Sequence, residues 1–344
     1  MTEKLKFGDV AVKEAAARHG RERATFERLL DRAIPAMRRR YLMLLGRSGG
    51  IGTATTYDEL VHDRELLREF GSEALREAAR RLDIFLDYLL AQASSTTAHL
   101  LDHRFDGVLT DPERVELFRT VRAAVDVPLI AGSTTNDTAH SVEMTQAATE
   151  AGMDAILAVV PYYNKPPQSG LARHFQAVAE ATSLPVMLYD VPGRTGRALA
   201  TETIVQLARE VPNVVALKDA GGDPSRVATL LADAPEGFEV YSGDEPLNLG
   251  FAAYGAVGVV GVATHWTAAQ QKAMFDAFAK GDVEQARRIN QGLLASFRYM
   301  NSDTCVFSQA VKVAMGVLGV PVGECRLPLG PAPEGTTEAA TAVL

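Results

Sequence analysis

Ala155-Ile-Leu-Ala-Val-Val160, Pro185-Val-Met-Leu-Tyr-Asp-Val191 and Val214-Val-Ala-Leu217 are three short apolar runs spaced evenly along the chain. Between them lie Gly170–Thr182 and Thr201–Arg209, whose apolar residues recur at three- and four-residue spacing. Continuous apolar strands separated by amphipathic helices make βαβ units, and such units build a parallel sheet covered on both faces. Outward from this stretch the pattern repeats. Val127–Ala131 precedes it, with Thr138–Ala151 as the intervening helix, and Phe238–Tyr241 and Ala256–Val262 follow, with Ser225–Leu231 between strands. Six such runs predict a (β/α)8 barrel or a doubly wound sheet. Thr267–Lys280, Val283–Tyr299 and Thr304–Leu318 then read as helices without strands, a C-terminal helical extension.

Residues 1–108 differ in character. They hold fifteen of the chain's arginines against three lysines, and Arg21–Arg40 and Ser72–Gln92 have helical spacing. The expected organisation is a mostly helical region 1–72, a (β/α) barrel over 73–266, the helical extension 267–330 and a flexible tail 331–344, rich in Pro, Gly, Thr and Ala.

Composition narrows the function classes. The chain has 344 residues, 47% hydrophobic and 23% charged, with net charge −8. That is ample material for a large core, and the charge disfavours a polyanionic partner such as nucleic acid. No run of about 18 apolar residues occurs, so no membrane-spanning helix is expected. Met1-Thr-Glu-Lys-Leu-Lys6 leads into charged sequence without an apolar h-region, and the two cysteines, Cys305 and Cys325, are too few for a disulfide framework. Both features predict a cytoplasmic protein.

Chemistry in parallel α/β folds sits at the carboxyl ends of strands. Val214-Val-Ala-Leu-Lys218 places a lysine there, and among the lysines after residue 108 it alone ends a strand. A partly desolvated strand-end lysine can serve as an amine nucleophile, although the same position suits an ion pair with a carboxylate. The preceding strand ends at Tyr189, whose hydroxyl could move protons, and continues into Pro192-Gly-Arg194-Thr-Gly196. An arginine held in that loop could grip a carboxylate, or be an ordinary surface arginine. One strand earlier come Tyr162 and Tyr163, between Pro161 and Pro166.

Taken in order, Pro161-Tyr-Tyr-Asn-Lys-Pro166, Leu188-Tyr-Asp-Val-Pro-Gly-Arg-Thr-Gly196, Val215-Ala-Leu-Lys-Asp-Ala220 and Tyr241-Ser-Gly-Asp244 closely resemble the dihydrodipicolinate synthase / N-acetylneuraminate lyase family of class I aldolases. The resemblance runs from about Leu109 to Leu329. It implies a (β/α)8 barrel with a C-terminal helical extension, and pyruvate held as a Schiff base on Lys218 without cofactor or metal. Tyr189 would transfer protons beside the imine, and Tyr163 would be a second shuttle tyrosine lent across a subunit interface. Gly243 and Val260 match positions whose backbone carbonyls line the pyruvate site. Arg194 looks like the synthase branch, where it recognises the carboxylate of the aldehyde. The resemblance thus implies condensation of pyruvate with an aldehyde such as L-aspartate 4-semialdehyde in lysine and diaminopimelate biosynthesis, by a homotetramer. A lyase or aldolase for another 2-keto acid, and a non-catalytic paralogue, are the alternatives.

The chain departs from the family before Leu109. The family's second strand ends in Gly-Thr-Thr-Gly-Glu, whose threonines bind the pyruvate carboxylate; here Asp102-His-Arg-Phe-Asp-Gly-Val108 stands in its place. The nearest threonine pair, in Ser94-Ser-Thr-Thr-Ala-His99, lies earlier and lacks the glycines. The front region reads first as a frame-shifted stretch, then as a diverged region supplying substitute strands, and last as an inserted module. Ser133-Thr-Thr135 offers hydroxyls at the end of the first matched run, though a polar loop explains them as well. Gly46-Arg-Ser-Gly-Gly-Ile-Gly52 has the spacing of a phosphate-binding turn, but Thr53-Ala-Thr-Thr-Tyr-Asp58 opens no apolar helix, which argues against a dinucleotide site. Arg38-Arg-Arg40 is balanced by nearby acids and makes no broad basic patch. The seven histidines show no metal-ligand spacing, and His265-Trp266 reads as packing at the barrel rim.

Overall fold

The computed structural model describes residues 109–302, 305–320 and 322–344, together with the backbone of 99–101. The expected helical region 1–72, the glycine patch 46–52 and the threonine pair at 96–97 lie outside the described residues.

Seven parallel strands pair in sequence order, β1 (His99–Leu101), β2 (Leu129–Gly132), β3 (Ala155–Val159), β4 (Val186–Asp190), β5 (Val214–Asp219), β6 (Glu239–Ser242) and β7 (Gly258–Val259). Consecutive pairing of this kind, each strand laid parallel beside its predecessor after a helical crossover, is how a barrel wall is built. Among the described residues these strands form one curled barrel wall, with β1 at one edge and β7 at the other. The crossovers carry α1 (Asp111–Ala124), α2 (Thr138–Glu150), α3 (Gln168–Glu180), α4 (Pro192–Thr195), α5 (Thr201–Glu210), α6 (Arg226–Asp233) and α7 (Asn248–Ala253). After β7 come α8 (Thr264–Ala279), α9 (Val283–Met300), α10 (Phe307–Val317) and α11 (Thr336–Val343).

Local chemistry explains where the helices start. Thr110 precedes α1, and the Glu113 carboxylate accepts both its backbone N–H and its hydroxyl at 2.9 Å. Asp137 caps α2 by accepting the His140 N–H at 2.7 Å, and Asp282 caps α9 by accepting that of Gln285 at 3.0 Å. At the opposite end of the sheet, Asp154 accepts from Arg122 at 2.6 Å and from the Leu129 N–H at 2.8 Å. That buried carboxylate ties the end of α1 to the starts of β2 and β3, at the face where such folds place stability rather than chemistry.

Period-two alternation sorts the strand residues into two layers. Ile156, Ala158, Val186, Leu188, Val214 and Leu217 face outward and pack with Phe118, Phe175, Ile204 and Leu230 from the helices. Ile130, Leu157, Val159, Met187, Tyr189 and Ala216 form a second cluster on the concave face. Both faces are buried, which is why these strands are continuously apolar.

The segment 331–344 corrects the expectation of a flexible tail. Its residues 336–343 form α11, whose buried Ala340 packs with Tyr299, Ala310 and Ala314 of the preceding helices. Small residues, which read as low-order composition in the sequence, let this helix approach closely.

His174 on α3 is buried, with Nδ1 3.0 Å from the Thr138 hydroxyl, and burial pushes its pKa down to about 4 against a partial upward pull from Asp137. The unfolded chain therefore binds the extra proton first. Stability is full above the ordinary histidine range near 6.5 and is lost as pH falls toward about 4, by about 3 kcal/mol in all. Urea unfolding across this window should show that slope, and His174→Phe should flatten it.

Candidate active site

The register of β4 on β5 aligns Tyr189 with Lys218 and Asp190 with Asp219. Successive residues point to opposite faces, so the first pair enters the concave face and the second the helix layer. Lys218 is 6% exposed and Tyr189 is 7% exposed. The Lys218 Nζ stands 4.0 Å from the centroid of the Tyr189 ring. A cation on an aromatic face is held by the negative potential of the ring face.

The outward pair makes this placement rigid. Arg226, at the first turn of α6, donates through Nη1 to the Asp190 carboxylate at 2.7 Å and stands 3.2 Å from that of Asp219. Asp190 also accepts the Leu199 N–H at 3.0 Å, and Asp219 accepts that of Gly221 at 2.8 Å. Burial raises the Asp219 pKa, while Arg226 and the Gly221 N–H pull it back. One guanidinium thus clasps the residues next to Tyr189 and Lys218, on the far side of the sheet. Removing it leaves two buried carboxylates uncompensated. Arg226→Leu should cost about 3 kcal/mol in chemical denaturation, where an exposed ion pair would cost less than about 1.

The residues expected around the lysine divide into two sets. Gly243, after β6, donates its N–H to the Asp219 carbonyl at 2.7 Å, and a Cβ on it would sit 3.1 Å from the Lys218 Cε and 2.9 Å from the Ala220 Cβ. Glycine is required there because the lysine passes over its backbone. Val260 follows β7, donates its N–H to the Ser242 carbonyl at 2.8 Å, and packs against the same concave cluster as Tyr189. Gly243 and Tyr189 stand against Lys218, and Val260 joins the cluster that holds Tyr189. Tyr163 and Arg194 sit apart, on exposed segments. Tyr163 is 89% exposed on the β3–α3 loop, with φ +72°. Arg194 is exposed on α4, just past β4, its guanidinium 4.6 Å from the centroid of the Phe307 ring.

The hydroxyls of residues 133–135 are committed to local structure. Ser133 Oγ pairs with Thr145 at 2.7 Å, Thr134 Oγ1 accepts the Val159 N–H at 2.8 Å, and Thr135 Oγ1 accepts the Asp137 N–H at 3.1 Å. They pin the ends of β2 and β3. Trp266 packs against Tyr299 and donates to Ser296 at 3.0 Å, while His265 Nδ1 lies 2.7 Å from the Val262 carbonyl.

One residue of the site went unread in the sequence. Glu245, fully buried after β6, accepts the N–H groups of Val262 and Ala263 at 2.8 and 2.9 Å and Gln271 Nε2 at 2.6 Å. Burial raises its pKa, opposed by these hydrogen bonds and by the nearby Lys218 charge. Its carboxylate occupies the space a side chain at Gly261 would need, so it sets the turn that follows Val260. The signal was a carboxylate three residues past a strand end, but nothing local distinguishes it from a solvated glutamate.

A curled parallel sheet with its polar side chains gathered at the carboxyl ends of the strands defines the class of β/α-barrel enzymes. A sequence model of the Dihydrodipicolinate synthetase family matches residues 107–344, and the chain belongs to that family. The 4-hydroxy-tetrahydrodipicolinate synthase of Bacillus subtilis (strain 168) is 40% identical over 257 residues, 74% of this chain and 88% of that protein. The 4-hydroxy-tetrahydrodipicolinate synthase 2 of Streptomyces coelicolor is 43% identical over 260 residues, covering 72% and 85% of the two chains. Among solved structures, a dihydrodipicolinate synthase from Bacillus anthracis superposes with TM-score 0.70 at 38% identity, over 77% of this chain and 90% of that one. The family match thus spans β2 to β7 and the C-terminal helices. Among the described residues no helix is long and apolar enough to cross a membrane.

Proposed function

We propose that this protein is a Schiff-base aldolase that condenses pyruvate with L-aspartate 4-semialdehyde, the 4-hydroxy-tetrahydrodipicolinate synthase reaction of lysine and diaminopimelate biosynthesis. The observation that carries the reading is the buried Lys218 amine over the Tyr189 ring at the mouth of β5, in a chain of this family.

The Lys218 amine attacks the pyruvate carbonyl carbon, water leaves, and a protonated imine forms. That imine is an electron sink, so the methyl group loses a proton and becomes an enamine carbon. The enamine attacks the aldehyde carbon, a new carbon–carbon bond forms, and the aldehyde oxygen takes up a proton; the amino group of the aldehyde substrate then adds to the regenerated imine carbon, and the C–N bond to Lys218 breaks, closing the ring and freeing the amine. Tyr189 moves these protons. Gly243 and Val260 present backbone carbonyls to the pyruvyl group, and Glu245 holds the Val260 turn in place. Arg194 receives the carboxylate of the aldehyde substrate and orients it for attack. Tyr163 joins the relay from a second copy of the chain, so a pair of chains is the smallest working unit, and a homotetramer is the assembly the family resemblance suggests. Neither a cofactor nor a metal is needed, because the lysine itself supplies the electron sink.

The test is peptide mass spectrometry after incubation with pyruvate and borohydride. A reduced pyruvyl adduct on Lys218 supports the reading, and aldehyde screening then identifies the second substrate. Folded protein without an adduct would overturn it. The non-catalytic reading, favoured by the absent Gly-Thr-Thr-Gly-Glu motif, would then replace it.

A further inference from the structure

Arg194 lies on a barrel loop, whereas Phe307 opens α10 in the C-terminal helices. The guanidinium carbon stands 4.6 Å from the Phe307 ring centroid. The Arg194 backbone N–H donates to the Val191 carbonyl at 2.9 Å. Among the described residues its guanidinium makes no ion pair and no hydrogen bond, and it stacks on the Phe307 ring.

Phe307 is itself firmly placed. It packs against the cluster of Ala263, Leu293, Phe297 and Met300. Gln309, one turn on, bonds the Val306 N–H at 3.2 Å and the carbonyls of Leu329 and Pro331 at 3.1 and 2.9 Å. The Tyr299 hydroxyl donates to the Ala310 carbonyl at 2.8 Å. The start of α10 is therefore anchored from three directions.

The backbone beneath Arg194 is fixed as well. The Thr195 hydroxyl donates to the carbonyls of Val191 at 3.2 Å and Arg197 at 2.9 Å, and Gly196 ends α4 in the left-handed conformation. What remains loose is the long arginine side chain, and the ring supplies a platform for it.

We infer that Phe307 is a positioning residue for the second substrate: its ring holds the Arg194 guanidinium by the face and leaves the N–H edge open to a carboxylate. All five guanidinium donors lie in the plane of the group, so stacking consumes none of them. Ordering the side chain before substrate arrives removes part of the entropy cost of binding. The C-terminal helical region thereby takes part in aldehyde selection while leaving the pyruvate step to the barrel. The inference rests on the reading that Arg194 receives the aldehyde's carboxylate.

The test compares Phe307→Leu, which keeps apolar bulk and removes the ring, with Phe307→Tyr, which keeps the ring. Phe307→Leu should raise the KM for aspartate semialdehyde about three- to fivefold, with kcat and the pyruvate concentration for half-maximal borohydride trapping unchanged. Phe307→Tyr should retain the wild-type KM. In an Arg194→Ala background, Phe307→Leu should add nothing. An unchanged KM in Phe307→Leu overturns the inference, as does an equal loss in kcat and in trapping, which would mark a merely structural role.

NMR of arginine-labelled full-length protein gives a readout independent of turnover. The Arg194 side-chain signal, assigned by its disappearance in Arg194→Lys, should be shifted upfield by the ring and lose that shift in Phe307→Leu. If the wild-type protein neither traps pyruvate nor turns over, the proposed function fails, and the NMR signal separately decides whether the Phe307 ring holds Arg194. A shift abolished by Phe307→Leu sustains the platform, and identical signals in the two proteins overturn it.

Discussion

Lys218→Ala is expected to remove the pyruvyl adduct altogether and to lower kcat/KM by at least about 10⁴-fold, roughly 5 kcal/mol of transition-state stabilisation. The proposed reaction runs through a covalent bond to the lysine nitrogen, and alanine offers no nucleophile. Lys218→Arg separates charge from nucleophilicity. A guanidinium keeps the positive charge over Tyr189 but does not deprotonate in proteins, so the same loss is expected. The neighbourhood tolerates little else, because Gly243 brings backbone against the Lys218 Cε. Circular dichroism and urea unfolding should be run alongside, so that lost activity is read on folded protein. Turnover that survives Lys218→Ala would sink the Schiff-base reading.

Tyr189→Phe has the second largest expected effect, a loss of about 10²- to 10⁴-fold in kcat, the usual range for a positioned proton-transfer group. Phenylalanine keeps the ring that lies 4.0 Å from Lys218 Nζ and its place in the concave cluster, so stability should change by less than about 1 kcal/mol. The variant should still form the pyruvate imine, trapped by borohydride, because the amine and its platform remain. Turnover with the aldehyde should fall while the trapped adduct persists. A loss of less than tenfold would move proton transfer to another group.

The strands were legible because their cause is local. A strand buried on both faces must be apolar throughout, so Ala155–Val160 and Pro185–Val191 could be bounded to within a residue or so of β3 and β4. The helices α2, α3, α5 and α9 likewise follow from their spacing of apolar residues, and the structure adds capping aspartates to α2 and α9. Where the cause is not local, the reading weakened. Ala256–Val262 was read as one run, yet only Gly258–Val259 pairs as β7, because Glu245 takes the N–H groups of Val262 and Ala263 that would otherwise extend it. The helix at 336–343 was missed for a similar reason. Its small residues gain their stability from the surface they dock on.

The candidate site divides along the same line. Lys218 and Tyr189 follow from position at a strand end, since a parallel α/β sheet carries every strand end to the same mouth; Gly243 and Val260 were marked only by the resemblance of their motifs to the family. By itself the sequence determined the βαβ order, the apolar layers and the strand-end residues, because periodicity and capping act over a few neighbouring residues. Only the tertiary structure decided that β4 and β5 align Tyr189 with Lys218, that Arg226 clasps the two aspartates behind them, and that Arg194 lies on Phe307. Those contacts join residues on different elements, and their partners are set by strand register and packing, for which no local pattern exists.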